Sequence, residues 1–319
     1  QIELAGDLIL DGANPYGHDY GASGLERWYP AAGEGGRPQV ALEHLAYFPG
    51  TPLTAAAWRL APAPFDDYRV LVLLTTLAAL LAVLLFRAPL EWRLAIGAVV
   101  AANPLAVKAA WFGTADAPSL LCLLLAFALV TRARYVGAAA LLGAAVLLKQ
   151  FALVALPFLV AMLVVRRVPV ATLWRAGAAF VAVVLAGALP FLLADAGALW
   201  DDTVAYGADT YRIIGYGLAG LLVEADVIED RFDPYPFLPL VVLLWLPTTA
   251  WLVWNQLRSS ALWVGAAGFA VSMFLLLFLG RVFQNSYLVW PLTGIAAACL
   301  IAAGERPTQR RESGDRADA

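Results

Sequence analysis

The chain has 319 residues, of which 62% are hydrophobic and only 14% charged, with a formal net charge of −3. Soluble domains carry about 25% charged residues, and here the charges lie almost wholly between the apolar runs, which excludes a soluble domain built on amphipathic helices. With 24 acidic against 21 basic residues, nothing points to a nucleic-acid partner. Cys122 and Cys299 both fall inside apolar runs, where a thiol behaves as a small buried hydrophobe, so neither a disulfide framework nor a metal cluster is indicated.

At the amino end, Glu3, Asp7 and Asp11 recur every four residues while Ile2, Ala5 and Ile9 line the other side. That spacing predicts a helix lying on the membrane surface or against a bundle. It stops at Gly12, and Asn14-Pro15 opens a loop rich in glycine, proline and aromatic residues.

Nine apolar runs follow, near 69–86, 94–110, 118–131, 135–148, 151–165, 176–193, 236–254, 261–280 and 287–303. Stretches such as Val70 to Phe86 and Ala176 to Leu193 are apolar on every face and read as membrane spans. Threaded back and forth, the runs place twelve of the 21 basic residues and five of the 24 acidic ones on one side, Arg132, Arg134, Arg166, Arg167 and Arg258 among them. The positive-inside rule makes that side cytoplasmic. The expected fold is therefore all-α, a polytopic transmembrane helical bundle in the plasma membrane. A first extracytoplasmic loop covers 1–67, the bundle covers 68–303 and contains a second large outer segment at 195–236, and 304–319 is a disordered cytoplasmic tail. Because the first loop has no anchor ahead of it, a tenth span is expected before Gln1.

Within the bundle, arginine pairs bound residues 135–165 at both ends and demand two crossings from about thirty residues. Each half reaches only about 20 Å at 1.5 Å per residue, short of the roughly 30 Å hydrocarbon layer. Two short helices meeting at Lys149-Gln150 would hold that lysine below the outer surface, beneath a cavity. A short outer segment from Lys108 to Pro118 separates another pair of short spans. The acidic, tyrosine-rich segment Asp195 to Pro236 has a helical stretch near Gly217 to Val227.

A charge at membrane depth needs water or a counter-ion, so Lys149 either snorkels to the interface or meets an anion such as phosphate. Arg281 offers the same choice: a helix-end anchor, or a second cation opening the polar turn Arg281-Val282-Phe283-Gln284-Asn285-Ser286-Tyr287. Asp7, Asp19, Glu43 and Asp116 are the outer carboxylates of interest, and Asp116 also stands where an acid caps a helix start. His18 and His44 each neighbour an acid, but without the regular spacing of a metal site.

The long first loop, the paired short helices and the terminal polar turn together resemble the GT-C superfamily of integral-membrane glycosyltransferases, and among these the actinobacterial mannosyltransferases that use polyprenyl-phosphate sugars. Leu10-Asp11-Gly12-Ala13-Asn14-Pro15-Tyr16 is similar to the family's G-x-x-P-Y stretch, followed by Asp19-Tyr20. Ala46-Tyr47-Phe48-Pro49-Gly50 resembles its E-Y-P-P stretch, with Ala46 standing where relatives have Glu. Gly113 to Asp116 and Leu148-Lys149-Gln150 are similar to its small-polar-acid step and its lysine. The resemblance implies transfer of mannose or another hexose or pentose, with inversion, from a polyprenyl-phosphate donor to a lipid or polysaccharide acceptor on the extracytoplasmic side. It implies a catalytic carboxylate among Asp7, Asp19, Glu43 and Asp116, or one preceding Gln1. Lys149, Arg281 and Arg212 would hold the donor phosphate, and Tyr16, Tyr47, Gln284, Asn285 and Tyr287 the substrates. Membrane lipids are further partners; no cofactor is expected, no residue is assigned as a metal ligand, and the resemblance leaves a divalent-metal requirement open. The rival readings are a secondary transporter with a polar site near mid-membrane and a lipid-binding homologue without catalysis.

The threading predicts that, in a background lacking Cys122 and Cys299, a cysteine replacing Asp230 is labelled by an impermeant reagent on intact cells and one replacing Ser259 is not. Outside labelling at 259 would reverse the assignment of sides.

Overall fold

A computed structural model of the protein describes residues 1–24, 42–210 and 212–317. Residues 25–41 of the expected first loop, and Tyr211, lie outside this description. Two helices belong to the first loop: α1 (Ile2–Leu10) and α2 (Gly50–Arg59). They pack on each other so closely that Gly6 of α1 touches the backbone of Ala55 and Ala56.

The bundle follows. It consists of α3 (Tyr68–Val83), α4 (Leu90–Ala102), α5 (Pro104–Phe112), α6 (Asp116–Thr131), α7 (Tyr135–Leu148), α8 (Leu156–Val165), α9 (Val170–Trp200), the short outer α10 (Leu218–Glu224), α11 (Phe237–Leu240), α12 (Leu246–Arg258), α13 (Trp263–Leu279) and α14 (Val289–Ala317). Each of the nine apolar runs becomes helix. Among the described residues, three helical stretches are long and apolar enough to cross a bilayer alone: Val170–Tyr206, Phe237–Arg258 and Asn285–Glu305. Helices α4 and α5, bent by 43° at Asn103, together make a fourth. The other apolar helices have 10–17 residues, so the expected nine spans rest on short elements. The bundle's surface is apolar as a lipid-facing one must be: Leu81, Trp174, Leu193 and Leu243 are each at least 68% exposed.

The break at Asn103 is chemically closed. Pro104 cannot continue a helical hydrogen-bond ladder, and the Asn103 side chain accepts from Ala106 N (2.9 Å) while donating to Val99 O (2.8 Å) and Val100 O (3.0 Å). Between α7 and α8 the chain leaves helix at Lys149, which is extended (φ −152°, ψ 123°), and re-enters through a 3-10 turn, Gln150–Ala155. This is the expected junction of two short helices.

One end of the bundle gathers the arginine-bearing loops. Arg93 donates to Leu84 O (3.0 Å), Arg132 to Leu85 O, and Glu305 accepts from both Leu262 N (3.0 Å) and Arg166 (3.4 Å). Loops far apart in sequence thus share an end, as the threading requires. At the other end the first loop forms a roof. Ala5, Tyr16, Tyr20 and Leu45 pack with Phe191 and Leu199 of α9 into a separate apolar cluster. Glu3 accepts from Tyr68 N (2.8 Å), so the acidic side of α1 closes the start of α3. The helix expected at 1–11 therefore lies against the bundle.

Two expected boundaries shift. The outer segment was expected to start at Asp195, where the backbone does leave helical geometry (φ −162°, ψ 95°), but helix resumes to Trp200 and a π-helix follows over Asp201–Thr210. At the carboxyl end α14 runs on to Ala317, across the stretch expected to be a disordered tail. The stretch near 217–227 does contain a helix, α10, next to a parallel two-stranded pairing of β1 (Ile214–Gly215) with β2 (Val282–Phe283). Gly215 is required there, since it has φ +90° and a Cβ would fall 1.9 Å from Phe283 O.

Gly50 has a similar role between roof and bundle: a Cβ would meet the backbone of Leu147 at 2.7 Å and of Leu148 at 2.9 Å. Thr51 completes the join by donating to Leu148 O (2.6 Å). Gly50→Val is expected to lower stability by about 1–3 kcal/mol, the usual range for overpacking, measurable as a fall in melting temperature in detergent. An unchanged melting temperature would show that α2 is free to move off α7.

Candidate active site

The end of α7 carries Lys149 into the interior just under the roof, where only 7% of it is exposed. Its Nζ lies 2.8 Å from Oδ1 of Asp116, itself 3% exposed, and the same oxygen accepts from the indole of Trp290 at 2.8 Å. Three rings surround the ammonium, with centroids at 5.4 Å (Tyr47), 5.4 Å (Phe151) and 5.7 Å (Tyr287). Ring faces attract a cation, and Phe151 in turn meets Tyr287 and Trp290 edge-on. The site thus draws on α6, α7, the turn after it, the roof, and the start of α14.

Asp116 was expected to serve as a helix cap or a catalytic carboxylate. It makes no capping hydrogen bond: it stands in the first turn of α6, whose N-cap is Ala115, and its carboxylate turns to Lys149 and Trp290. The pair answers the demand that a buried charge be matched. It also rules out snorkelling to open solvent. An ammonium has three N–H donors and no acceptor, so pairing with one oxygen leaves two donors for a ligand.

Among the described residues, no ion pair joins the other expected carboxylates to Lys149. Asp7 pairs with Arg59 (2.9 Å) and Asp66 joins the same guanidinium (3.0 Å). Asp19 is exposed and accepts from Gly21 N (2.7 Å), holding its own turn, and Glu43 is exposed. The resemblance makes them candidates for the base although they are far apart in sequence, and which of them share a site is a matter of tertiary folding. Tyr16 is buried and donates to Tyr47 O (2.9 Å), so it positions Tyr47 rather than standing in the open. Tyr20 donates to Pro15 O. Burial, reinforced by Asp202 nearby, pushes both phenols above the usual tyrosine range, so they remain donors.

The polar turn contributes unevenly. Tyr287 reaches Lys149, Gln284 is half-buried at the start of the turn, and Asn285 is exposed. Arg281 is 3% exposed and donates to Asp233 O (3.2 Å), tying β2 to the outer segment, and Arg212 is half-buried beside β1. Among the described residues no three His, Cys, Asp or Glu side chains gather as a metal set.

Several site residues were not legible in the sequence. Phe151 and Tyr68 carried no signal, yet Phe151 stacks about Lys149, and the buried Tyr68 lies within electrostatic reach of Tyr47, Asp116 and Lys149. His44 donates from Nδ1 to Oδ1 of Asp202 (2.7 Å), which is 2% exposed and also accepts from Gly17 N (3.0 Å). Gln150 extends its amide toward Ala46 O (3.4 Å) and Thr203 O (3.3 Å), linking the Lys149 turn to both neighbours of that pair. Along α13 and α14 runs an apolar groove of about 880 Å³, from Ala261 and Glu305 at the arginine-bearing end to Phe274 and Leu288, next to Tyr287.

Removing one member of a buried ion pair leaves the other unmatched and typically costs about 3–5 kcal/mol, whereas replacing both with apolar groups is often neutral. Lys149→Met is therefore expected to lower stability strongly, and the double variant Lys149→Met/Asp116→Leu to recover most of the loss. Equal melting temperatures for the single and double variants would show that the two side chains are not coupled.

No protein-family model matches the chain, and no curated protein does. Among solved structures it is similar to the crystal structure of ArnT from Cupriavidus metallidurans bound to undecaprenyl phosphate, with a TM-score of 0.52 and 18% sequence identity. The match covers 95% of this chain and 54% of that one, so the chain spans about half the length of the solved structure. At that identity the likeness is one of fold: the chain has the helical membrane architecture found in ArnT.

Proposed function

We propose that the chain is a membrane glycosyltransferase of the GT-C kind that takes its sugar from a polyprenyl-phosphate donor. The observation that carries this reading is Lys149, a buried ammonium held at the roofed end of the bundle with two donors to spare, in a fold like that of a protein solved with undecaprenyl phosphate. In this reading the phosphate lies against Lys149, which stabilises the charge that grows on it as the glycosidic bond breaks. Asp116 and Trp290 hold the ammonium in place. The isoprenoid chain lies in the groove between α13 and α14, whose outer end at Leu288 adjoins the Lys149 cage. The acceptor hydroxyl attacks the anomeric carbon from the face opposite the phosphate, giving inversion. Under the positive-inside assignment this happens on the extracytoplasmic side of the plasma membrane. Mannose, or another hexose or pentose, is the sugar to be tried first, with a lipid or polysaccharide acceptor. Arg281 and Arg212 are secondary cations in this reading, and Gln284, Asn285 and Tyr287 the substrate-facing turn.

A transporter built on the same broken helices would move substrate without cleaving it. The distinguishing assay supplies membranes carrying the protein with radiolabelled polyprenyl-phosphate mannose, other hexoses and pentoses. Transfer to a lipid or polysaccharide fraction is expected, and the stability-restored double variant Lys149→Met/Asp116→Leu should reduce it by about 10²-fold or more, the usual loss of a charge-stabilising donor, while Lys149→Arg retains part. Uptake of label without transfer in all cases would favour the transporter.

A further inference from the structure

We infer that His44, oriented by Asp202, is the general base that takes the proton from the acceptor hydroxyl; this rests on the glycosyltransferase reading above. The reaction needs a proton acceptor, and His44 with Asp202 supplies one whose support is visible in the structure, whereas three of the expected carboxylates are already engaged in other contacts. Oδ1 of Asp116 already accepts from Lys149 and Trp290, Asp7 is engaged by Arg59, Asp19 holds its own turn, and Glu43 is exposed.

His44 has the geometry of a base. A carboxylate can only accept, so the 2.7 Å contact to Asp202 fixes the proton on Nδ1 and leaves the lone pair of a neutral imidazole on Nε2. Asp202 is held in turn by Gly17 N at 3.0 Å. Tyr206 stacks on the imidazole at 4.7 Å and 26°, and Gln1 donates to the His44 carbonyl at 2.5 Å, so ring and backbone are both fixed. The charged and titratable groups facing the pair are Tyr206, and Tyr16 and Tyr20, whose hydroxyls sense the Asp202 charge. The His44 side chain is 24% exposed, while Asp202 is closed off at 2%. A part-exposed imidazole backed by a buried carboxylate is an arrangement that general-base catalysis can use.

The pair also stands beside the proposed donor. Gln150, the residue after Lys149, donates toward Ala46 O and Thr203 O, two residues beyond His44 and one beyond Asp202. The Gln150 Oε1 is buried and accepts from no described group. In the step itself the acceptor O–H bond breaks and its proton passes to Nε2. The acceptor oxygen bonds to the anomeric carbon, and the electron pair of the carbon–phosphate oxygen bond leaves with the phosphate beside Lys149.

Substitution with Asn tests this, because the Asn amide reaches Asp202 as Nδ1 does but has nothing in place of Nε2. In membranes supplied with the donor that the wild type uses, His44→Asn is expected to slow transfer by about 10²-fold or more with donor binding and melting temperature close to wild type. Asp202→Asn, acting through His44, should move the acid limb of the pH–rate profile. Should the Asn variant fold poorly, imidazole added to His44→Gly is expected to restore transfer in a manner that tracks the neutral imidazole. Wild-type rates in His44→Asn, or no rescue of a folded His44→Gly, would overturn the assignment, leaving the pair as a clamp that fastens the roof. If the wild type transfers sugar and the folded double variant Lys149→Met/Asp116→Leu does not, that failure belongs to His44 alone. A wild type that transfers nothing from any donor overturns both readings.

Discussion

A single buried ion pair organises the upper half of this molecule. Lys149 leaves helical geometry at the junction of two short helices, and without Asp116 its ammonium would be an unmatched charge at membrane depth. The pair reaches across from α7 to α6, and the indole of Trp290 brings in α14 through the same oxygen. Around it the rings of Tyr47, Phe151 and Tyr287 exclude water from three further elements. Each element that meets there is also held elsewhere: Ser119 of α6 donates to Ala145 O of α7 (2.8 Å), and Thr51 of α2 to Leu148 O. Polar contacts of this kind do in the membrane what apolar burial does in water.

The roof has a different physical basis. It packs through its own apolar cluster onto α9 and is fastened by hydrogen bonds from tyrosine hydroxyls to backbone carbonyls. Such bonds fix loop carbonyls without committing a charge, which leaves the charged groups beneath it for chemistry. The continuation of α9 past Asp195 into the π-helix is what brings Asp202 beneath the roof, against Gly17 and His44. A conventional loop over 195–236 would have left that carboxylate in solvent.

Much of the bundle was legible because span periodicity and charge sidedness are local properties. The nine apolar runs, the separation of arginine-bearing loops, the helix at the amino end and the short-helix junction at Lys149 all follow from residues close together in sequence. The candidate site was legible only in part. Lys149 and Asp116 each stood out, but their pairing depends on how α6 and α7 pack, and no sequence interval encodes that. The outer carboxylates show both kinds of partner: Asp19 holds its own turn through Gly21 N, whereas Asp7 of α1 meets Arg59 of α2, 52 positions away, a contact that depends on tertiary packing. His44 and Asp202 lie 158 positions apart, so the partner that gives the histidine its orientation is invisible from its own neighbourhood.

Helix α14 is tied at two levels. Trp290 fixes it to Asp116 near the roof, and Glu305 fixes it to Leu262 N and Arg166 at the arginine-bearing end. Fifteen residues of helix between these points make a strut of roughly 22 Å, and a slip of one residue, about 1.5 Å, would pull both ties out of register. Thickening or thinning of the surrounding bilayer therefore cannot be absorbed by sliding α14 alone. Helix α13 shares the restraint, since its N-cap Leu262 donates to the same Glu305 and its last carbonyl, Leu279 O, accepts from Tyr235 at 2.8 Å, so the two helices would have to move together.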